Sequence, residues 1–204
     1  SGAINNCIDD AGVVLSRDRY LWSQGRALWT FSALYNRIEP REEWLDIARG
    51  IAGYLYQHGR DDQGRWMYRL DADGAILDRD ISIYVDGFVL NGLGEYYVAS
   101  GDERAARLAV ETFENVQRRL ETPGCYGIAP YVLAPGTKTL GIPMIFSFFF
   151  HNLGRAIGRP DISDIGLGCA REVLSDFYIP ERDAFVEFVR IGGGTVDSPE
   201  GRVT

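Results

Sequence analysis

At 204 residues, 46% hydrophobic and 12% aromatic, the chain has ample material for a packed core and no compositional mark of disorder. A formal net charge of -8 without a basic patch argues against a nucleic-acid partner. Cys7, Cys125 and Cys169 are far apart, with no C-x-x-C pair and no adjacent histidine; they read as reduced thiols of a cytoplasmic protein and imply no metal. The most apolar run, Gly141 to Phe150, is too short to span a bilayer, and the first residues lack the regions of a secretory signal, so no membrane partner is expected.

In chain order, Ile4 to Leu15 forms two short apolar segments around Asp9-Asp10-Ala11-Gly12, a hairpin signal because Asp and Gly accept the turn dihedrals. Tyr20 to Asn36 follows as a helix with an apolar stripe of Trp22, Leu28, Trp29, Phe31, Leu34 and Tyr35. Arg26 sits among them with no acidic residue in the segment. It either reaches the surface or a distant carboxylate, or meets an oxygen-rich ligand from the inward face. A second helix, Arg41 to His58, keeps Trp44, Ile47, Ala48, Ile51, Tyr54 and Leu55 at helical spacing behind Pro40. A second hairpin flanks Asp71-Ala72-Asp73-Gly74. It repeats the first at an offset of 62, with identities at Asp9/Asp71, Gly12/Gly74, Leu15/Leu77, Arg17/Arg79 and Asp18/Asp80.

Helices are then expected at Ser82 to Ala99 and Asp102 to Leu120 and, after a Pro/Gly-rich loop from Thr122 to Thr137, at Leu140 to Ile157 and Asp161 to Phe177. The first helix of each pair is apolar nearly all round and the second has a polar face, as concentric inner and outer layers require. Arg26, Tyr84 and Met144 fall at comparable depth in the inner helices, 58 and 60 residues apart, so the repeat is about 60 residues long. Ala184 to Val189 reads as one alternating strand, and Gly193 to Asp197 as a third hairpin turn, 119 positions after the second. A further inner helix is expected near Thr204. Residues 1–204 thus read as a single domain, half of a closed ring of paired helices.

Five stretches now resemble the N-acylglucosamine 2-epimerase superfamily, which also contains cellobiose 2-epimerases and aldose-ketose isomerases. They are Y-L-W-S-Q-G-R-A-L-W-T-F-S-A-L-Y-N from Tyr20, H-G-R-D-D-Q-G-R-W from His58, S-I-Y-V-D-G-F from Ser82, K-T-L-G-I-P-M-I from Lys138 and D-S-P-E-G-R-V from Asp197. The resemblance implies an all-α fold of the (α/α)6-barrel type and a sugar epimerase or isomerase working through a cis-enediolate, without a cofactor. It places Arg26, with Trp22 on the same W-x-Q-x-R helix, at the sugar's oxygens near C1 and C2; Tyr84 at a substrate-facing aromatic position; and Lys138 and Met144 along the pocket. Read without the family, Tyr84 and Met144 are equally inner-helix packing residues and Lys138 a solvated loop lysine.

The family's acid/base pair is two histidines, one in an N-P-G-H-x-x-E helix that would follow G-R-V-T. This chain has only His58 and His151, and neither lies in such a motif, so the pair is expected outside the 204 residues. The expected partners are a small-molecule sugar and either a second copy, forming a homodimer, or the other half of the barrel. Two other classes compete: an (α/α) barrel glycoside hydrolase using Asp86 and Glu187 as its carboxylates, and a non-catalytic sugar-binding or interaction module.

Overall fold

The computed structural model describes residues 2–122 and 125–199. The chain divides into two compact units, Ser1–Ala129 and Pro130–Thr204. In the first, β1 (Cys7–Ile8) and β2 (Val14–Ser16) pair as an antiparallel hairpin. Then come β3 (Arg19–Tyr20), α1 (Leu21–Arg37) and α2 (Glu42–His58). Glu42 and Glu43 open α2, where the helix dipole favours negative charge, so the helix begins just after Arg41. β4 (Arg69–Leu70) and β5 (Ile76–Asp78) complete the antiparallel sheet β3-β4-β5. α3 (Ile83–Ser100) stops at Gly101, whose φ of 71° suits a residue without a Cβ. The Asp102 carboxylate then accepts from the Arg104 N–H at 2.9 Å and caps α4 (Glu103–Leu120).

The sequence repeat is a repeat of one turn. At Asp71 the backbone N–H donates to the Ala75 carbonyl, the carbonyl accepts from Gly74, and Oδ1 accepts from the N–H groups of Asp73 and Ala75. Asp9 makes the same four bonds with Val13, Gly12, Ala11 and Val13. Asp61 makes them again with Arg65, Gly64, Gln63 and Arg65, a copy that the repeat spacing does not mark. Each turn ends in a glycine at positive φ: 81° at Gly12, 76° at Gly64, 93° at Gly74.

The layering follows from side-chain size. Between Ser82 and Tyr96 every residue of α3 and its cap is buried except Tyr84 and Phe88, which lie one turn apart. α4 buries one face, Ala105, Ala109, Thr112, Phe113 and Val116. α1 and α3 meet backbone to backbone: a Cβ on Gly25 would stand 2.7 Å from the Phe88 carbonyl carbon, and one on Gly92 would stand 2.5 Å from the Gly25 oxygen. The H-G-R-D-D-Q-G-R-W stretch serves this packing too. Trp66 is buried and donates from Nε1 to Thr112 Oγ1 at 2.9 Å, and Gly59 leaves room for its ring.

The second unit consists of β6 (Thr137–Thr139), α5 (Gly141–Ala156), α6 (Pro160–Glu172), β7 (Tyr178–Ile179), β8 (Ala184–Phe185) and β9 (Phe188–Arg190). α5 and α6 also touch through glycines: a Cβ on Gly154 would meet the Ser163 N at 2.5 Å, and one on Gly166 the His151 N at 2.7 Å. Two expectations are corrected here. The sixth helix does not run regularly to Phe177; Val173–Phe177 is a π turn that carries Phe177 into a core with Leu140, Val186 and Val189. Nor is Ala184 to Val189 one strand. Phe185 pairs with Tyr178 in β7 and Phe188 with Thr139 in β6, so the segment changes partner at Val186 and Glu187. The third hairpin keeps the repeated backbone pattern, Arg190 N–H to the Gly194 carbonyl and Gly193 N–H to the Arg190 carbonyl, now without an aspartate. The expected helix near Thr204 lies outside the described residues.

Candidate functional site

In the first unit, the open stripe of α3 faces an open stripe of α1. Arg26 is exposed, Trp22 one turn before it is half-buried, and Thr30 one turn after it is exposed. The Arg26 guanidinium lies over the Phe88 ring, 5.1 Å from its centroid. Among the described residues no carboxylate pairs with it. Trp22 stands edge-on to Phe88 at 6.4 Å and tilted against Tyr68 at 6.0 Å, and Tyr68 meets Tyr20 at 5.6 Å. A cation therefore ends a run of four half-buried rings, an arrangement suited to a ligand with apolar C–H faces and a ring of oxygens.

Tyr84 shares the α3 stripe with Phe88. Phe88 and Tyr68 are the residues that sequence reading missed. Phe88 was visible as the position one turn after Tyr84. Tyr68 comes into place only through the pairing of β3 with β4, which sets Tyr20 opposite Arg69. Burial pushes the Tyr68 hydroxyl above the usual tyrosine range, with Tyr20 and Asp78 adding to it.

Met144 and Phe148 repeat the pattern in the second unit, exposed and one turn apart on α5. The open positions Arg26/Thr30, Tyr84/Phe88 and Met144/Phe148 thus recur at the repeat spacing. Lys138 is not a solvated loop lysine. Its ammonium donates to Glu172 Oε1 at 2.8 Å and to Asp176, and it lies 5.7 Å from the Phe177 ring centre. Burial disfavours its charge, but the hydrogen bonds it donates to Asp176 and Glu172 outweigh that and hold its pKa above the lysine range.

The two histidines are both engaged. His58 packs on Tyr54 at 5.0 Å and against the Gly74 turn, and His151 Nδ1 shares a 2.7 Å hydrogen bond with Ser163. Asp86 and Glu187, the carboxylates of the glycosidase alternative, are also committed. Arg119 donates to Asp86 at 3.1 Å and to Asp80 at 2.8 Å, while Glu187 accepts from Thr139 at 2.6 Å. Burial raises the Asp86 carboxyl to about 7 against the pull of Arg119, with Asp80 adding to the rise. Yet Asp86 is 1% exposed and lies on the reverse of α3 from Phe88. Among the described residues no group of three His, Cys, Asp or Glu side chains is placed to hold a metal, and no helix is long and apolar enough to cross a membrane.

Paired helices joined by short hairpins make this an all-α fold of the (α/α)6-barrel class. The cellobiose 2-epimerase of Bacillus thermoamylovorans B4167 superposes with a TM-score of 0.80 over 93% of this chain and 53% of its own, at 16% identity. The N-acylglucosamine 2-epimerase (GlcNAc 2-epimerase) family profile matches residues 2–131, and the chain belongs to that family. Cellobiose 2-epimerase of Bacteroides fragilis is 38% identical over 93 residues, 45% of this chain and 24% of that protein. N-acylglucosamine 2-epimerase of Homo sapiens is 26% identical over 212 residues, 98% of this chain and 48% of that protein. The chain thus spans about half the length of this curated relative.

Proposed function

We propose that the intact protein is a sugar 2-epimerase or aldose-ketose isomerase, with Arg26 holding the oxygens of a cis-enediolate. The observation that carries this is an exposed arginine, without a described carboxylate partner, seated on Phe88 beside Trp22 in a member of this family. Removing the proton next to an open-chain carbonyl leaves negative charge on two neighbouring oxygens. A guanidinium fork that is charged at every working pH suits that pair. Trp22 and Tyr84 are assigned to the sugar's faces, and Met144 to the pocket lining. The two carboxylate partners of Lys138 support a role in fixing β6 more than one at the sugar. The proton transfer itself needs groups titrating near neutrality. Because His58, His151 and Asp86 are all engaged, we assign it to residues outside these 204, in the other half of a barrel or a partner copy. The unpaired thiols of Cys7, Cys125 and Cys169 support a cytoplasmic setting.

The test is exchange at C2. Intact protein incubated in deuterated water with N-acylmannosamine, mannose, cellobiose and other aldoses should deposit deuterium at C2 of one of them, read by NMR. Absence of exchange with every sugar overturns the reading. Arg26→Lys should lower turnover roughly 100- to 1000-fold, the loss expected for one oriented donor, and raise KM far less. Near wild-type turnover would remove Arg26 from the mechanism.

A further inference from the structure

α1 and α3 approach closely. At Gly25, Phe88 and Gly92 backbone lies on backbone, with the Leu28 side chain seated against Gly92, and polar contacts at the ends of α3 add to what this packing does to fix its rotation. The rotation matters, because it decides whether Phe88 lies under Arg26 and where Tyr84 points.

Polar contacts pin α3 toward both ends. At its far end Glu95 accepts from Asn36 at 2.8 Å and from Arg37 at 2.5 Å, both at the end of α1. At its near end Asp86 meets Arg119 of α4. Asp86 stands two residues from Tyr84 and two from Phe88, so at 100° per residue it points to the opposite side of the helix from both. Arg119 also donates to Asp80 at 2.8 Å and to the Cys125 carbonyl at 3.2 Å, tying the segments before α3 and after α4 to the same guanidinium. A buried ion pair of this kind contributes little net stability, since well-packed apolar residues in its place are often as stable or more so. What it does supply is direction.

We propose that Asp86 and Arg119 are positioning residues for the sugar site: by gripping the reverse of α3 they set Phe88 beneath Arg26 and keep Tyr84 on the same open stripe. The proposal rests on the sugar epimerase/isomerase reading for its kinetic consequence and on geometry alone for its structural one.

The experiment replaces the pair with apolar residues, Asp86→Leu with Arg119→Met, in the full chain and in the intact enzyme. The variant should still fold but with a lowered melting temperature, because Asp80 loses its Arg119 partner; kcat should fall about tenfold or more, and KM should change less. In parallel, the Arg26 Hε resonance, shifted by the Phe88 ring beneath it, should move toward its free position. A folded double variant with unchanged kcat and an unchanged Arg26 resonance overturns the proposal. Should the double variant fail to fold, Arg119→Lys carries the same test, because one ammonium cannot reach Asp80, Asp86 and the Cys125 carbonyl together. If the wild type exchanges no sugar, the epimerase/isomerase reading fails on its own account. The Arg26 resonance then decides the positioning claim: a moving signal sustains it and a fixed one ends it.

Discussion

Arg26 and Asp86 occupy opposite situations. Arg26 is charged, exposed and seated on the face of a ring, whereas Asp86 is sealed in the interior beside a cation. The state of Asp86 has a measurable consequence. Burial raises its carboxyl to about 7 in the folded chain, above the ordinary aspartate value near 4 that it takes when unfolded. Between those values the folded form holds the extra proton. Its contribution to stability is therefore fully present below about pH 4 and is lost as pH rises through about 7, by up to about 1.4 kcal/mol per pH unit. Asp61, Asp71 and Asp176 are held below the usual range and act in the opposite sense, so the wild-type profile alone does not isolate Asp86. Asp86→Asn does. The variant loses part of the Arg119 bond at every pH, but its stability relative to the wild type should climb from pH 4 to 7 in denaturant titrations. A difference that stays flat across that interval would show that Asp86 is ionised throughout.

The elements show what spacing reveals and what it hides. Helix positions and the inner-outer alternation were legible because apolar spacing reports directly on which face is wet. The turns were legible at Asp9 and Asp71, where aspartate and glycine stand three apart. The copy at Asp61 has the same aspartate-to-glycine spacing to Gly64, but it follows directly on a helix end instead of joining two alternating apolar segments, so no strand pattern marks it. The break between β8 and β9 was hidden for another reason: alternation fixes which side chains point inward but not which strand each backbone group finds. The turns also support a comparison. Gly12 and Gly74 have the same role at positive φ, 81° and 93°, but a Cβ at Gly12 meets nothing within 4 Å and one at Gly74 lies 2.5 Å from His58 Nδ1. Gly12→Ala should cost about 1–2 kcal/mol, the left-handed strain alone. Gly74→Ala should cost that and about 1–3 kcal/mol more, because His58 is held against Tyr54 and has little room to retreat. Equal losses in chemical denaturation would show that the imidazole moves freely.

At the scale of the whole molecule, the repeat accounts for which surfaces stay open. Arg26, Tyr84 and Met144 recur at the repeat spacing, and each is followed one turn later by another open position, so the pattern read from sequence marks where these helices stay uncovered among the described residues. It did not show how each position is used. Lys138 finds its carboxylates 34 and 38 residues away, and Arg119 finds Asp86 33 residues away, distances over which no local periodicity speaks. The exposed positions also carry a physical cost. Met144 is 53% exposed and Phe148 50%, adjacent on α5, with Ile165, Leu167 and Leu174 exposed on α6 and the turn that follows it. The chain spans about half the length of the human N-acylglucosamine 2-epimerase it matches, and we propose that further helices of a ring cover such surface. The 204 residues on their own should therefore self-associate, giving a light-scattering mass above 22.8 kDa that rises with concentration. Met144→Glu with Phe148→Lys should shift that mass toward the monomer, because the two charges oppose burial of the stripe without touching the α5 core of Phe146, Phe150 and Leu153. A wild-type chain that elutes as a single 22.8 kDa species at every concentration, and melts cooperatively, would show that these 204 residues satisfy their own surface and that the ring is not needed to explain it.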